Sequence, residues 1–457
     1  MTISSDDLKQ LCLIEIDKLL RGNGKSLEDF ECMPKLDSYV DEPFNNILLA
    51  NELSYDSAKM FSKHGDLFVN LNEEQLFAYH QILEVVYGNL GRMFFVDGYG
   101  GTGKTYLWNA LSFKLCSEGK ILLNVSSSGI ASLLLPGEKI AHSQFAIPLV
   151  LVEDSFCKID KDSKKAELLA MASLIIWDEA PMINRLAFQA FDRTLRDIMN
   201  KNGGDALSSP FGGKTIVFGG DFRQILLVLP KGGHADVVHA TINSSQLWRW
   251  CKALKLTKNM RLEGSSNSGE TESLRDFAQW ILNIGDGRIR EQIDGEASVE
   301  IAVDLLVKTS SDYLADIVEA TYPDLLQNMQ EFSFFQDRAI LAPTLVLVER
   351  VNDFVMTLIP GEEKEYLSCD TICKCDEDVG IDQRWITTEF LNDIKCSGMP
   401  NHKLHLKVGV PVMLLKNIDV SSGLCNDTRL TIASMGKNII SATIVNVPHS
   451  GEIVYIT

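Results

Sequence analysis

The sequence predicts an α/β fold in which parallel strands are buried between helices. Short apolar runs, each ending near a glycine or an aspartate, recur from about residue 68, and helical stretches lie between them. The runs are Met93–Val96, Ile121–Leu123, Leu174–Trp177 and Thr215–Phe218, and the helical stretches include Tyr106–Cys116 and Arg185–Met199. Right-handed crossovers bring the carboxyl ends of such strands to one edge of the sheet, so we expect a ligand to bind there.

The bulk composition is that of an ordinary globular protein. Of 457 residues, 45% are hydrophobic and 23% are charged, and no apolar run approaches the length that spans a bilayer. The acidic N-terminus lacks the pattern of a secretory signal, so we expect an intracellular protein with no membrane partner. The net charge of −19 argues against a protein that coats nucleic acid by charge alone. It leaves open a protein that grips a single strand in a local groove.

Ten cysteines are scattered along the chain without framework spacing, and in an intracellular protein we interpret them as reduced thiols. The alternative is a zinc site built from Cys369, Cys373 and Cys375 with His402 and His405. The spacing of these cysteines matches no common zinc module, so free thiols are the favoured interpretation.

Changes of pattern along the chain predict four segments. Residues 1–67 form a helical preface with an apolar face between Leu8 and Leu20. Residues 68–255 form a first α/β domain, and residues 256–403 hold a second α/β section, which begins near Leu274 and contains the predicted strand Arg338–Ala342. The polar stretch Glu263–Glu270 is predicted to be a loop. Residues 404–457 are rich in strands, at Val410–Leu415 and Ile439–Val447, with turns at Gly423, Asn426–Asp427 and Gly436.

The most specific motif is a glycine-rich loop between a predicted strand and a predicted helix. It runs through Gly98, Tyr99, Gly100, Gly101, Thr102 and Gly103 to Lys104 and Thr105. Its glycines let the backbone N–H groups point at phosphate oxygens, and the following helix adds the positive end of its dipole. The Lys104 ammonium would bridge the β- and γ-phosphates of ATP, and the Thr105 hydroxyl would bind Mg²⁺. The alternative is an ordinary glycine-rich turn.

Two further strand ends carry residues suited to the same chemistry. Asp178 and Glu179 follow Leu174–Trp177. An aspartate there can hold Mg²⁺, and a neighbouring glutamate can polarise the attacking water. Gln224 follows the next strand, within Gly219–Gln224, and could sense the γ-phosphate. The alternative for Asp178 and Glu179 is a solvated turn, and the alternative for Gln224 is a tight turn after a strand.

The order of these phrases resembles that of the petite-integration-frequency-type DNA helicases, which are superfamily 1 motors with 5′→3′ polarity. The likeness is strongest to the plant branch related to the helicase region of Helitron transposons. It covers nearly the whole chain. The matching phrases are Leu71–Gln75, Gly98–Trp108, Ser126–Gly137, Ala141–Phe145, Asp178–Met182, Gly220–Gln224, Leu256–Arg261, Arg338–Thr344, Tyr366–Ser368 and Val408–Asn417.

The resemblance implies tandem RecA-like domains with an inserted small β-domain, and ATP, Mg²⁺ and single-stranded and forked DNA as ligands. Gln75 would read the adenine edge, and Arg261 would reach the γ-phosphate from the second domain. The residues implied to lie along the single strand are Ser128, His142, Ser143 and Phe145. For Phe145, a place in the core is the alternative. The family also implies roles in DNA repair, recombination or telomere maintenance, and a nuclear or mitochondrial location.

The chain departs from the family pattern in three ways. Leu227 stands where the branch usually has proline, and Asp427 stands where it usually has glycine, in a turn that could require positive φ. The family's final motifs, including a second arginine that faces the γ-phosphate, find no match. We therefore expect an incomplete second domain, with ATP binding but weak or absent unwinding. The alternatives are a transposon-derived remnant that binds ATP or DNA without unwinding, and an unrelated phosphate-loop ATPase.

Overall fold

The computed structural model describes most of the chain in two separate units, Met1–Tyr55 and Asp56–Thr457. The residues described are 13, 16–17, 20, 26–30, 33–34, 46–127, 137, 139–200, 207–224, 227, 229, 232–262, 268–288, 291–293, 296–329, 331–336, 338–370, 391–392, 401–419, 422–445 and 450–456.

The first unit covers residues 1–55 of the predicted preface, 1–67. Leu13, Ile16, Asp17 and Leu20 are helical, and the rest of the predicted apolar face lies outside the described residues. A 3₁₀ turn follows at Leu27–Asp29, and helix α1 spans Ile47–Leu53. The Asn46 side chain caps α1 by accepting the Leu48 N–H at 3.0 Å.

A parallel sheet of six strands organises the first part of the second unit. Its strands are β1 Met93–Gly98, β2 Leu122–Ser126, β3 Lys139–Ile140, β4 Leu174–Asp178, β5 Ile216–Gly220 and β6 Cys251–Leu256. Their order is β3-β2-β4-β5-β1-β6, and every pairing is parallel. The four strands predicted as apolar runs are confirmed, with each end within three residues of the predicted one. Strand β6 escaped prediction because it lies at the edge, where Lys252 and Lys255 interrupt its apolar pattern.

Helices cover both faces of this sheet. They are α2 Ser57–Phe68, α3 Glu73–Gly88, α4 Lys104–Ser117, α5 Ala141–Gln144, α6 Lys164–Met171, α7 Arg185–Met199 and α8 His234–Ala240. Short 3₁₀ turns lie at Ala180–Met182, Pro210–Gly213, Ile242–Ser244, Gln246–Trp250 and Met260–Leu262. The strand residues Phe94 and Ile176 and the helix residues Leu107 and Trp108 are fully buried between these layers. This core fixes the strand ends on which the candidate site is built.

The chain between the six-stranded sheet and the C-terminal strands is mainly helical. It contains α9 Ser268–Gly285, α10 Tyr313–Thr321, α11 Leu325–Asn328 and α12 Leu345–Leu358, with 3₁₀ turns at Val303–Leu305 and Phe332–Phe335. Two antiparallel strand pairs accompany them: β7 Glu291–Ile293 with β8 Glu296–Ser298, and β9 Lys364–Leu367 with β10 Lys403–Leu406. The predicted loop Glu263–Glu270 is wrong at its end, because Ser268–Glu270 already belong to α9.

The predicted strand Arg338–Ala342 is not a strand. The segment has no regular secondary structure and pairs with no strand in the described part of the chain, and Leu341 is 92% exposed. An apolar run becomes a strand only where a neighbour supplies hydrogen bonds. The parallel sheet expected for a second RecA-like domain is accordingly not seen among the described residues of 256–403.

The C-terminal segment forms a small antiparallel sheet, as its strand-rich pattern predicts. The strands β11 Pro411–Met413, β12 Arg429–Met435, β13 Ile440–Ile444 and β14 Ile453–Ile456 pair in chain order. Leu430, Ile432 and Ile444 form the centre of its core. Asp427 has φ +70°, so the turn before β12 does require positive φ at the position where the family usually has glycine.

The described helices include none that is both long enough and apolar enough to cross a membrane. Among the described cysteines, Cys116, Cys157, Cys251, Cys369 and Cys425 form no disulfide bond. Cys373 and Cys375, which the zinc alternative needs, lie outside the described residues. Elsewhere in the described ranges, no three His, Cys, Asp or Glu side chains are grouped so that they could hold a metal ion.

Candidate functional site

The glycine-rich loop joins the end of β1 to the start of α4 at the carboxyl edge of the sheet. Thr102 closes it, because both its N–H and its Oγ1 donate to the Tyr99 carbonyl, at 3.2 and 2.9 Å. Gly101 and Gly103 have φ of +93° and +79°, a conformation that favours glycine. The Lys104 side chain is buried, and its Nζ donates to the Gly98 carbonyl across the loop. These residues therefore form a closed loop with the buried Lys104 ammonium group inside it.

Gln75 braces this loop from helix α3. Its side chain is fully buried, and its Oε1 accepts the Asn72 N–H at 3.0 Å as part of the cap of α3. Its Nε2 donates to the Thr102 carbonyl at 3.1 Å. A Cβ added at Gly103 would lie 2.3 Å from that nitrogen, so only glycine permits this approach. Both ends of the Gln75 amide are thus engaged, and reading an adenine edge, as the resemblance implies, would require these bonds to be exchanged.

Asp178 ends the buried strand β4, and Glu179 follows it. Burial raises the pKa of Asp178, and the nearby Lys104 ammonium opposes that rise. Burial also raises the pKa of Glu179, and the Asp178 carboxylate raises it further. The Glu179 backbone has φ +50°, a left-handed conformation that costs a non-glycine residue about 1–2 kcal/mol. A strained glutamate with a raised pKa, beside a buried aspartate, is typical of a site that handles protons.

The turn after β5 adds Gln224 to the same edge. Its N–H donates to the Asp221 carbonyl at 3.2 Å, and its side chain lines the cleft. The buried Asp221 Oδ1 accepts from the Arg223 N–H at 3.0 Å and from Arg223 Nη1 at 3.2 Å. Arg223 Nε also donates to Asp286 Oδ1 at 2.5 Å. Leu227 is described, but Ile225, Leu226 and Val228 beside it lie outside the described residues.

A cleft of about 540 Å³ brings the predicted nucleotide residues together. It is lined by Gln75, Tyr99, Gly100, Gly101, Gly103, Lys104, Thr105, Tyr106, Asp178, Glu179, Gln224, Met260 and Arg261. Gly98 and Thr102, also predicted, do not line it and instead hold the loop closed. Arg261 reaches the cleft from the chain directly after β6, and the Met260 N–H donates to the Gly101 carbonyl at 2.9 Å. Arg261 is therefore carried by a segment that folds back on the six-stranded sheet.

Two lining residues, Tyr106 and Met260, were not predicted. The Tyr106 hydroxyl donates to the Leu67 carbonyl at 2.9 Å, which ties the start of α4 to the end of α2. Both residues stand inside phrases already singled out, Gly98–Trp108 and Leu256–Arg261. Adjacency to those motifs was the available signal, but a tyrosine or a methionine carries no phosphate chemistry by type.

The residues predicted to lie along a DNA strand are placed unevenly. Ser128 lies outside the described residues. His142 is partly buried and burial lowers its pKa, whereas Ser143 is exposed and its carbonyl accepts from Lys165 Nζ at 3.2 Å.

Phe145 is a correction. Its ring is fully buried and stacks on Phe191 with ring centroids 4.0 Å apart, and Trp177 packs beside it at 5.3 Å. A ring enclosed in this way has no free face for a base. The structure therefore assigns Phe145 to the core, which was its alternative interpretation.

The cleft contains a polar group that fits a divalent cation. Asp178 Oδ1 is buried, and no described group forms a hydrogen bond with this oxygen, although the Trp108 ring and the Glu179 N–H lie close enough to the carboxylate to oppose the rise of its pKa. Thr105, whose hydroxyl is the other predicted ligand, lines the same cleft. Buried carboxylate oxygens without partners are rare and commonly mark a site for an ion. Mg²⁺ prefers oxygen ligands of this kind, one or two from protein and the rest from water or phosphate. The residues present therefore fit Mg²⁺.

Residues that form this site match a known protein family. Residues 70–295 match the model of the PIF1-like helicases, and residues 389–435 match the model of the 2B domain of the DNA helicase Pif1. The ATP-dependent DNA helicase Pif1 of Psychrobacter is 25% identical over 337 residues, which make up 73% of this chain and 43% of that protein. The chain thus spans less than half of that relative's length.

Solved structures show the same fold. Bacteroides Pif1 bound to ssDNA aligns with a TM-score of 0.51 at 20% identity, over 84% of this chain and 73% of that chain. A second solved structure is of Pif1 and concerns DNA unwinding at forked dsDNA by two coordinating Pif1 helicases. It aligns with a TM-score of 0.53 at 21% identity, over 84% of this chain and 75% of that chain. The two family models in this order, together with the shared fold, show that the chain belongs to the PIF1-like helicase family of ATP-dependent DNA helicases.

Proposed function

We propose that this chain carries the motor of a 5′→3′ DNA helicase, which couples ATP hydrolysis to movement along single-stranded DNA and to unwinding. The observation that carries the proposal is the cleft itself. A buried ammonium (Lys104), a buried carboxylate with one oxygen that no described group hydrogen-bonds (Asp178) and a strained glutamate (Glu179) share it with Arg261. This set suits a phosphoanhydride, whose hydrolysis needs charge neutralised on one side and water activated on the other.

Each cleft residue has a role that its position supports. Lys104 would exchange its bond to the Gly98 carbonyl for β- and γ-phosphate oxygens. Glu179, whose pKa is raised by burial, would orient the attacking water and accept its proton. Gln224 would sense the γ-phosphate, and Arg261 would stabilise the charge that develops on it. Mg²⁺, held by Asp178 and Thr105, would supply neutralisation of the phosphate charge when bound.

The nucleic-acid part of the proposal rests on the family and on local charge. One Pif1 structure with this fold is bound to ssDNA, and another concerns DNA unwinding at forked dsDNA. In this chain, Lys139 lies close enough to Lys165 to lower its pKa, after the larger effect of burial, and Lys165 contacts the predicted DNA residue Ser143. Lys139 and Lys165 thus place positive charge beside a residue predicted to contact single-stranded DNA. Such a local patch suits a protein of net charge −19 that binds DNA in a limited groove.

The remaining features of the proposal come from the family resemblance. A second RecA-like domain would close over the cleft when ATP binds, and hydrolysis would reopen it. The cellular role would be DNA repair, recombination or telomere maintenance, in the nucleus or in mitochondria.

The proposal is tested with two partial duplexes that differ only in whether the single-stranded arm is 5′ or 3′. We expect ATP-dependent strand release, weak in magnitude, from the 5′-armed duplex alone, and none with Lys104→Ala. Release from the 3′-armed duplex, or release by Lys104→Ala, would contradict the assignment. DNA-dependent ATP turnover without release from either duplex would favour a remnant that binds ATP and DNA without unwinding.

A further inference from the structure

After β6 the chain turns back on the glycine-rich loop. We name Thr257–Arg261 the return segment. Three hydrogen bonds fix its course: Tyr99 Oη donates to the Thr257 carbonyl at 2.6 Å, Met260 N–H to the Gly101 carbonyl at 2.9 Å, and Arg261 N–H to Asn259 Oδ1 at 3.1 Å. The two surfaces are in close contact. A Cβ added at Gly101 would lie 2.6 Å from Asn259 Oδ1 and 3.2 Å from Arg261 Cδ.

The carboxylate of Glu74, in the first turn of α3, holds the start of this segment. Its Oε2 accepts the N–H groups of Thr257 and Lys258 at 2.6 and 3.2 Å. Its Oε1 accepts the Thr257 hydroxyl at 2.6 Å. Burial raises the pKa of Glu74, but the bonds from Thr257 and Lys258 outweigh burial and leave its pKa below the usual value. The carboxylate is thus ionised and fully engaged at neutral pH, in a position where the helix dipole also favours negative charge.

We propose that Glu74 is a positioning residue, which holds the return segment against the glycine-rich loop so that Arg261 faces the phosphates. This proposal rests on the proposed function. Arg261 is exposed and long, and its own side chain forms none of the bonds that fix the segment. Its aim therefore depends on the backbone that carries it. Glu74 ties that backbone at its first residue, and the Met260–Gly101 bond ties it next to Arg261.

The position of Glu74 explains how the cap of α3 and the arginine are connected. Gln75, the next residue, holds Thr102 and Gly103 of the loop. Asn72, the cap residue of α3, donates through Nδ2 to Met260 Sδ at 3.1 Å. The first turn of α3 therefore binds both the phosphate loop and the segment that presents Arg261. The contacts of Asn72, Glu74 and Gln75 would therefore couple the loop to the return segment.

The test compares Glu74→Ala with Glu73→Ala in the full chain. Glu73 is the matched control, because it is an exposed glutamate in the same helical turn. We expect Glu74→Ala to lower kcat for ATP between about 10- and 100-fold, since small misplacement of a catalytic group has effects of this size. We expect KM to stay near the wild-type value, because Lys104 and the loop still bind the ground state. Glu73→Ala should match wild type in both constants.

Two more variants separate positioning from folding. Thr257→Val removes one hydroxyl donor and little volume, so it should fold and lower kcat in the same direction by less. In an Arg261→Ala background, Glu74→Ala should have no further effect on kcat, because the group that it positions is gone. A full additional loss in that background, or equal kcat for Glu74→Ala and Glu73→Ala, would overturn the proposal alone. A wild-type chain without ATP turnover would overturn this proposal together with the proposed function.

Discussion

The exposed fraction of apolar side chains differs between two regions of Asp56–Thr457: the first region, around the six-stranded sheet, and the later region, from α9 onward. Around the six-stranded sheet, Ile82, Leu107 and Trp108 are fully buried, each on a helix that packs against strands. On helix α9, in contrast, Leu274, Phe277 and Ile281 are between 43% and 50% exposed, although they share one face. On α12, Leu345 and Val346 are 59% and 67% exposed.

The difference indicates which region contributes most to the free energy of folding. A helix face is stabilised mainly by the layer that it packs on, and the described part of the later region offers its helices no parallel sheet. The first region closes its core with its own strands and places the candidate site on their ends. We therefore expect substitutions in the first region to have large effects on stability and equivalent substitutions in the later region to have small ones.

The largest expected effect is at Phe145. Replacing it by alanine removes a ring stacked on Phe191 inside the core and should lower the free energy of unfolding by about 3–5 kcal/mol. Chemical denaturation followed by circular dichroism measures this. Phe145→Leu keeps most of the volume and should recover most of that loss. A Phe145→Ala variant with wild-type stability but weakened single-strand binding would instead restore the base-stacking prediction.

A matched pair of apolar residues tests the comparison itself. Ile176 and Leu341 both stand in runs that predict buried strands, but Ile176 is fully buried and Leu341 is 92% exposed. Ile176→Ala should cost about 2–5 kcal/mol of unfolding free energy. Leu341→Ala should change it by no more than about 0.5 kcal/mol. Similar losses at the two positions would show that the later region buries Leu341 in solution.

A smaller effect, with a defined pH dependence, is expected at Asp178. Burial raises its pKa in the folded state, so the folded protein binds the proton more tightly than the unfolded chain. This group therefore costs stability above its folded pKa, and the cost disappears as pH falls through that value. Asp178→Asn should stabilise the metal-free protein at pH 7 by about 0.5–2 kcal/mol, in the manner of a site residue that trades stability for function.

Thermal unfolding of both proteins between pH 4 and pH 8 checks this expectation. The gain from Asp178→Asn should shrink toward acid pH, and the variant should lose its response to Mg²⁺ with nucleotide. Asp178→Asn that is less stable than wild type at neutral pH would mean that Lys104 already stabilises the carboxylate fully.

Much of the first region could be predicted, because its physics is local. Apolar runs mark strands buried on both faces, and the glycines of Gly98–Thr105 mark a loop that only glycine can form. The edge strand β6 could not, since its lysines are acceptable only at an edge that the sequence does not reveal. Leu341 shows the opposite case: its run is apolar enough for a strand, but strand formation depends on a partner elsewhere in the chain.

The site followed the same division. Lys104, Asp178, Glu179 and Gln224 were predicted from the strand ends that carry them, and all four line one cleft. The contacts of Glu74 with Thr257 join residues 183 positions apart, and no local pattern encodes them. Phe145 was assigned to DNA from its place in a family phrase, whereas its burial is decided by Phe191 and Trp177 from two other elements.

The central claim is that the cleft around Lys104 hydrolyses ATP in response to single-stranded DNA. The most direct measurement is phosphate release with and without an oligonucleotide, for wild type, Lys104→Ala and the control Lys114→Ala. Lys114 lies on the same helix α4 but pairs with Glu118 at 2.9 Å, away from the cleft. We expect DNA-stimulated release from wild type and Lys114→Ala, and a loss of about 100-fold or more in Lys104→Ala. Equal DNA-stimulated release from Lys104→Ala and wild type would contradict the account.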